Sequence, residues 1–238
     1  MVADSDVRAA DVTAELRALG KPNTARIYRT HGVRSETVGV SLADLGTLRK
    51  RYAGAPRLAV SIWDSGLHDA RILALQIADA RNLSVDEIDA WRGALDNYIL
   101  TDAFSGMIAR RDDAVARALL WIDAPGEWTS TAGWNILNLA ALDGRLTPDL
   151  ATALLGRIVA SIHTAPNRTR YAMNNTLIAI GAGVADLKDA AIATARAIGT
   201  VHVDHGQTGC KTPDAAPYIE RAYAHRNRRT RATGGNTR

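Results

Sequence analysis

The segment Asp96-Asn-Tyr98-Ile-Leu-Thr-Asp102 sets a phenol ring and a carboxylate four residues apart, which puts both on one face of a helix. The pairing has a chemical use when the substrate is a cation: the ring face attracts the charge, and the carboxylate stabilises positive charge as it develops. A tyrosine and an aspartate one turn apart are also an ordinary surface pair, and residue type alone leaves both readings open. Val201–Asp214 holds the densest set of metal-ligand types, His202, Asp204, His205 and Cys210. Zinc needs four ligands converging from fixed elements, and one loop without a second knuckle offers no such frame. The expectation is a structural loop without metal, tying the penultimate helix to the last, with Thr212 as the last helix's cap. Cys210 has only His205 as a local base and is not assigned as a nucleophile.

A third pattern, Ile178-Ala-Ile-Gly181-Ala-Gly183, pairs a short apolar run with G-x-G, as a dinucleotide-binding turn does. Asp186 stands where the third glycine belongs, Asn174-Asn175-Thr176 reads as mid-helix, and no neighbouring βαβ pattern supplies a sheet. These glycines are expected to end one helix and start the next.

The elements that must position such residues read as helices nearly throughout. The first runs from about Ser5 to Leu19 with Gly20 as its stop, and others cover Pro22 to His31 and Leu42 to Tyr52 behind Ser41. A helix opens near Pro56, and Leu67 to Ala80 is another. Ser84-Val-Asp-Glu87 is a capping box, in which each side chain satisfies the other residue's orphan backbone donor. Asp96 to Arg110 and Asp112 to Trp121 follow, then a longer helix through Trp128 and Trp134. Thr147-Pro-Asp149 combines a threonine cap, proline at the first position and an early acid, and Thr212-Pro-Asp214 repeats it. Pairs of helices give a unit of roughly 35 to 45 residues, the length of HEAT-like pairs. The expected fold is all-α, an α-solenoid of HEAT-like helical pairs with a concave face suited to an extended partner. It forms a single domain over 1–228, followed by a basic flexible tail over 229–238.

The chain has 238 residues, 47% of them hydrophobic, which is enough for a core without staples, and its single cysteine excludes a disulfide scaffold. The formal charge is +4, but six arginines from Arg221 to Arg238 stand with no acid among them. The other 220 residues carry 23 basic and 25 acidic side chains, so the body is near neutral and the excess is local. No run of 18 apolar residues exists, and Met1-Val-Ala-Asp-Ser-Asp lacks the regions of a signal peptide. A cytoplasmic protein without a membrane partner is expected.

Particular residues carry a family resemblance. They are Ala25-Arg-Ile-Tyr28-Arg-Thr-His-Gly32, Gly39-Val-Ser41, Ile62-Trp-Asp-Ser-Gly66, Asp69-Ala-Arg71, Ala132-Gly-Trp-Asn135 and Arg170-Tyr-Ala-Met-Asn174. The most specific is Val203-Asp-His-Gly-Gln-Thr-Gly-Cys-Lys-Thr-Pro-Asp-Ala215. Over most of its length the chain resembles the AlkD-type DNA alkylation repair proteins, HEAT-like-repeat glycosylases of alkylated purines.

The resemblance implies hydrolysis of the N-glycosidic bond of cationic N3- or N7-alkylpurines in duplex DNA, with no cofactor and a monomeric enzyme working at the bacterial nucleoid. A cationic base leaves readily, so the enzyme mainly stabilises an oxocarbenium-like sugar and places a water. The family's aspartate, four residues after a tryptophan, matches Asp102, and Tyr98 matches the tryptophan. Trp134 is the candidate second ring, with Arg110, Arg111, Arg168 and Arg170 for phosphates. Asn175 falls at a second aromatic position of the family, and Thr131 near a phosphate-contacting arginine. A noncatalytic DNA-binding protein for damaged or branched DNA is the alternative, and a helical protein-interaction scaffold a third.

Overall fold

The computed structural model describes the backbone of residues 8–234 and the side chains of residues 8–226. Among the described residues there are thirteen α-helices and no strand: α1 Ala9–Leu19, α2 Pro22–Thr30, α3 Leu42–Arg51, α4 Pro56–Trp63, α5 His68–Ile77, α6 Val85–Gly93, α7 Tyr98–Ile108, α8 Ala114–Trp121, α9 Glu127–Leu142, α10 Pro148–Ser161, α11 Asn167–Gly183, α12 Lys188–Ile198 and α13 Ala215–Gly234. Ser5 to Val7, expected in the first helix, lie outside the described residues, as do the side chains of the expected tail.

Local chemistry explains most starts. Ser41 Oγ accepts from Asp44 N at 3.2 Å. The Ser84 box is closed in both directions, Ser84 N donating to Glu87 Oε2 at 2.7 Å and Glu87 N to Ser84 Oγ at 3.1 Å. Thr147 caps α10, accepting from Leu150 N at 3.3 Å. The same tripeptide at 212–214 behaves differently, and the expected cap is corrected there. Thr212 Oγ1 bonds His205 Nε2 at 3.0 Å, Pro213 O accepts from Asn174 Nδ2 at 3.0 Å, and α13 begins only at Ala215. Tertiary partners have claimed the groups that would otherwise start a helix.

The chain packs as two compact units, 8–114 with Gly206–Gly209, and Val115–His205 with 210–234, so that the boundary near Ala114 falls inside the span expected as one domain. In the first unit α5 packs on α3, α4 and α7 around Leu45, Leu48, Ile62, Leu73 and Phe104. Trp63 and Trp91 stack at 4.3 Å between centroids, with planes 8° apart. Extended residues between α2 and α3 lack a helix to satisfy their backbone, and the buried Asp69 carboxylate does so instead. It accepts from Thr37 Oγ1 at 2.8 Å, Val38 N at 3.0 Å and Val40 N at 2.6 Å. Tyr28 donates to Val40 O at 2.7 Å from the other side. Burial first, and then nearby Asp69, push the Tyr28 hydroxyl up to about 12, so it remains a donor. Gly39 sits at φ +79°, where a Cβ would meet Ala25 N and Lys21 O, so glycine alone fits.

In the second unit α11 is the central helix, packed on α9, α12 and α13. Gly181 and Gly183 lie in the last turn of α11 and end it as expected, while the next helix opens only at Lys188. A Cβ on Gly181 would lie 2.7 Å from Ile219 and 2.8 Å from Ala191, and one on Gly183 would meet Ala141 O. They are contact points where neighbouring elements approach the helix closely.

Candidate nucleic-acid interface

In the first unit, α7 is set by its buried face. Asn97 accepts from Leu100 N at 3.0 Å as the cap, and Leu100, Phe104, Met107 and Ile108 fill the core. Thr101 and Ser105 on that face return their hydroxyls to the carbonyls four residues back, at 2.8 and 2.7 Å, so their burial leaves no hydroxyl unpaired. Asp102 lies off this face and is exposed. Tyr98, one turn earlier, is half-buried, and its hydroxyl shares a hydrogen bond with His31 Nδ1. The two rings meet edge to face at 5.8 Å and 65°. His31 is the C-cap of α2, the helix that Gly39, Tyr28 and Asp69 hold in place. Residue spacing alone gave no signal for His31; its partner is 67 positions away.

The arginines divide. Arg110, just past α7, is exposed. Arg111 is engaged inside the unit: Nε meets Asp113 Oδ1 at 2.7 Å, Nη2 meets Asp113 Oδ2 at 3.2 Å, and Nη1 donates to Ala80 O. Its side chain is only 15% exposed, which makes it a tie between segments rather than an open phosphate contact.

In the second unit, Arg168 lies in the first turn of α11, its guanidinium 4.7 Å from the centre of the Tyr171 ring. Glu127 accepts from Arg168 N at 2.7 Å, bringing an anion to the helix's positive end. Arg170 donates to His202 O at 2.7 Å and to Ala165 O at 3.0 Å, so its guanidinium ties the 200–214 loop to the segment that precedes α11. Asn167 pins the same loop reciprocally, donating to Asp204 O and accepting from Asp204 N, both at 2.7 Å. His205 stands edge-on to Tyr171 at 5.3 Å, and burial, then Arg168, lower its pKa. The loop is thus built into the packing of α11. Among the described residues, no three His, Cys, Asp or Glu side chains gather as a metal site would require.

Trp134 departs from expectation. It is 2% exposed, a core ring with its carbonyl accepting from Thr176 Oγ1 at 2.9 Å, so no face of it is open to a nucleic acid. A large apolar ring on the inward side of α9 gains more from the core than from solvent. Thr131 is likewise buried and bonds Thr169 Oγ1 at 3.2 Å, joining α9 to α11. Asn175 is half-exposed and lines a cleft of about 480 Å3 with Asn138, Tyr171, Lys211 and Tyr218. Sequence reading missed this cleft, because its walls come from three helices and the 210–214 segment.

The helical architecture has a close solved counterpart, described as "A new family of proteins related to the HEAT-like repeat DNA glycosylases with affinity for branched DNA structures". It matches with a TM-score of 0.83 at 26% identity, over 92% of this chain and 95% of that one. The fold is therefore all-α and of the HEAT-like kind related to those glycosylases. Residues 12–219 match the family described as DNA alkylation repair enzyme, and the chain belongs to that family. Two uncharacterized proteins, Lin0241 of Listeria innocua and Lmo0209 of Listeria monocytogenes, are each 34% identical to it over 87% of this chain and 94% of theirs.

Proposed function

We propose that the protein is a DNA glycosylase that hydrolyses the N-glycosidic bond of cationic N3- or N7-alkylpurines in duplex DNA. The observation that carries the reading is an exposed carboxylate, Asp102, one turn beyond a ring, Tyr98, that His31 anchors, in a chain of the DNA alkylation repair family. In the reaction the bond from C1′ to the purine nitrogen breaks, and its electron pair leaves with the base and neutralises it. Water adds to C1′ and gives up a proton to the medium. Asp102 stabilises the positive sugar and orients the water, and the Tyr98 ring supports the cation by its π face. No general acid, metal or organic cofactor is called for, since the leaving base is already charged. The exposed Arg110 supplies a phosphate contact. Helix N-termini add uncharged ones, so a near-neutral body still binds DNA. The protein acts as a cytoplasmic monomer at the nucleoid.

Incubation with duplex containing N7-methylguanine, measuring free base, tests this. Release that disappears in Asp102→Asn supports the enzyme; no release from any methylated or bulkier adduct overturns it. A second reading, a noncatalytic protein that binds branched DNA, is favoured by the affinity ascribed to the solved relative. Under it, wild type releases no base, and junction DNA binds equally well after Asp102→Asn. The scaffold reading predicts weak duplex affinity without a strong salt slope.

A further inference from the structure

The cleft beside Asn175 combines aromatic, apolar, amide and cationic side chains. Its volume, about 480 Å3, falls within the roughly 300–1,000 Å3 of small-molecule sites. Tyr171 and Tyr218 line it with aromatic rings, and Ile178 and Ala182 with apolar side chains. Each tyrosine carries a guanidinium, Arg168 at 4.7 Å from the Tyr171 centre and Arg221 at 5.5 Å from that of Tyr218. The Asn138 and Asn175 side chains line the same space and make no hydrogen bond among the described residues, although each amide has two donors and an acceptor to satisfy. Lys211 adds an exposed ammonium, and among the described residues it has no acidic partner and no aspartate or glutamate lines the cleft. Such walls suit a planar group with a hydrogen-bonding edge, attached to an anion.

We propose that this cleft holds one unpaired nucleotide of DNA, with its base against the tyrosine walls, its edge read by Asn138 and Asn175, and its phosphate at Lys211. Every base has a π face, so the walls confer affinity without demanding a sequence, and the amides set the preferred edge. An unpaired nucleotide occurs at bulges and branch points and is absent from intact duplex, which gives the protein a means of choosing distorted DNA. The inference rests on the DNA-binding reading above.

The test compares the full chain's affinity for a duplex with a single-nucleotide bulge, carrying 2-aminopurine, with its affinity for the same duplex fully paired. Wild type is expected to favour the bulge by about tenfold, the worth of one stacked base. Asn138→Ala with Asn175→Ala, which removes both edge-reading amides, and Lys211→Ala, which removes an exposed side chain, each bring the ratio toward one. Lys211→Ala keeps the test decisive should the paired alanines disturb α9 or α11. Equal wild-type affinity for both DNAs, or a ratio unchanged in both variants, overturns the inference while leaving DNA binding in place. Absence of binding to either DNA overturns the DNA-binding reading itself. Competition by micromolar free dAMP overturns the assignment to a DNA strand in favour of a free nucleotide; competition only in the millimolar range supports it.

Discussion

The Tyr98 hydroxyl and Nδ1 of His31 share a hydrogen bond that joins the start of α7 to the end of α2. It orients the ring one turn before Asp102. Tyr98→Phe keeps the ring and loses the bond, at an expected cost of about 0.5–1.5 kcal/mol, read from urea midpoints. Base release should fall less than in Asp102→Asn, since the π face remains. A stability change without any change in release would give the pair a purely structural role.

Asp102 is exposed and lies outside the packed face of α7. Asp102→Asn is expected to lose at least about 100-fold in base release, the usual scale for removing one transition-state stabiliser, while remaining folded by urea unfolding. A variant with undiminished release would remove Asp102 from the chemistry.

The buried Asp69 carboxylate is the opposite case. Asp69→Ala strands the donors of Thr37, Val38 and Val40. The expected loss is about 3–5 kcal/mol in denaturant unfolding. Loosening of α2 should follow as faster amide exchange at its C-terminal turn, the turn that presents His31.

Next to it, His68 is fully buried against Tyr28, with neither ring nitrogen hydrogen-bonded. Burial holds its pKa below the ordinary histidine value, outweighing the pull of Asp69 and Asp96. The unfolded chain then takes up the proton first as pH falls. The stability contributed by keeping the ring neutral is complete above about 6.5 and declines below it. Unfolding midpoints should drop between about pH 7.5 and about pH 5.5, and His68→Phe should flatten that slope. An identical slope in the variant would assign the titration to another group.

Removing the residues after His225 deletes five arginines. Nonspecific DNA affinity and its dependence on salt are expected to fall, with base release from a bound lesion retained. An unchanged salt slope would leave this end a solubilising extension.

Chemistry between near neighbours was readable in advance. The Ser84–Glu87 box and the Thr147 cap each involve residues three apart, and both form as expected. Thr212 shows where such reading ends, because His205 and Asn174 offer its segment partners that no local rule contains. The arginines separate in the same way. Arg110, Arg111 and Arg170 look alike in the chain, yet only the first is exposed, while Asp113 and backbone carbonyls engage the other two.

Helical character, most helix starts and the shared face of Tyr98 and Asp102 are legible in the chain itself, because backbone geometry and capping act over three or four residues. The burial of Trp134, the meeting of His31 with Tyr98, the close packing at Gly181 and Gly183 and the cleft beside Asn175 follow from contacts between distant segments. An apolar or polar side chain has the same local preferences whichever helix it faces. Burial and partnership arise when distant segments compete for the same space and the same hydrogen-bonding groups, and that competition is resolved only by packing.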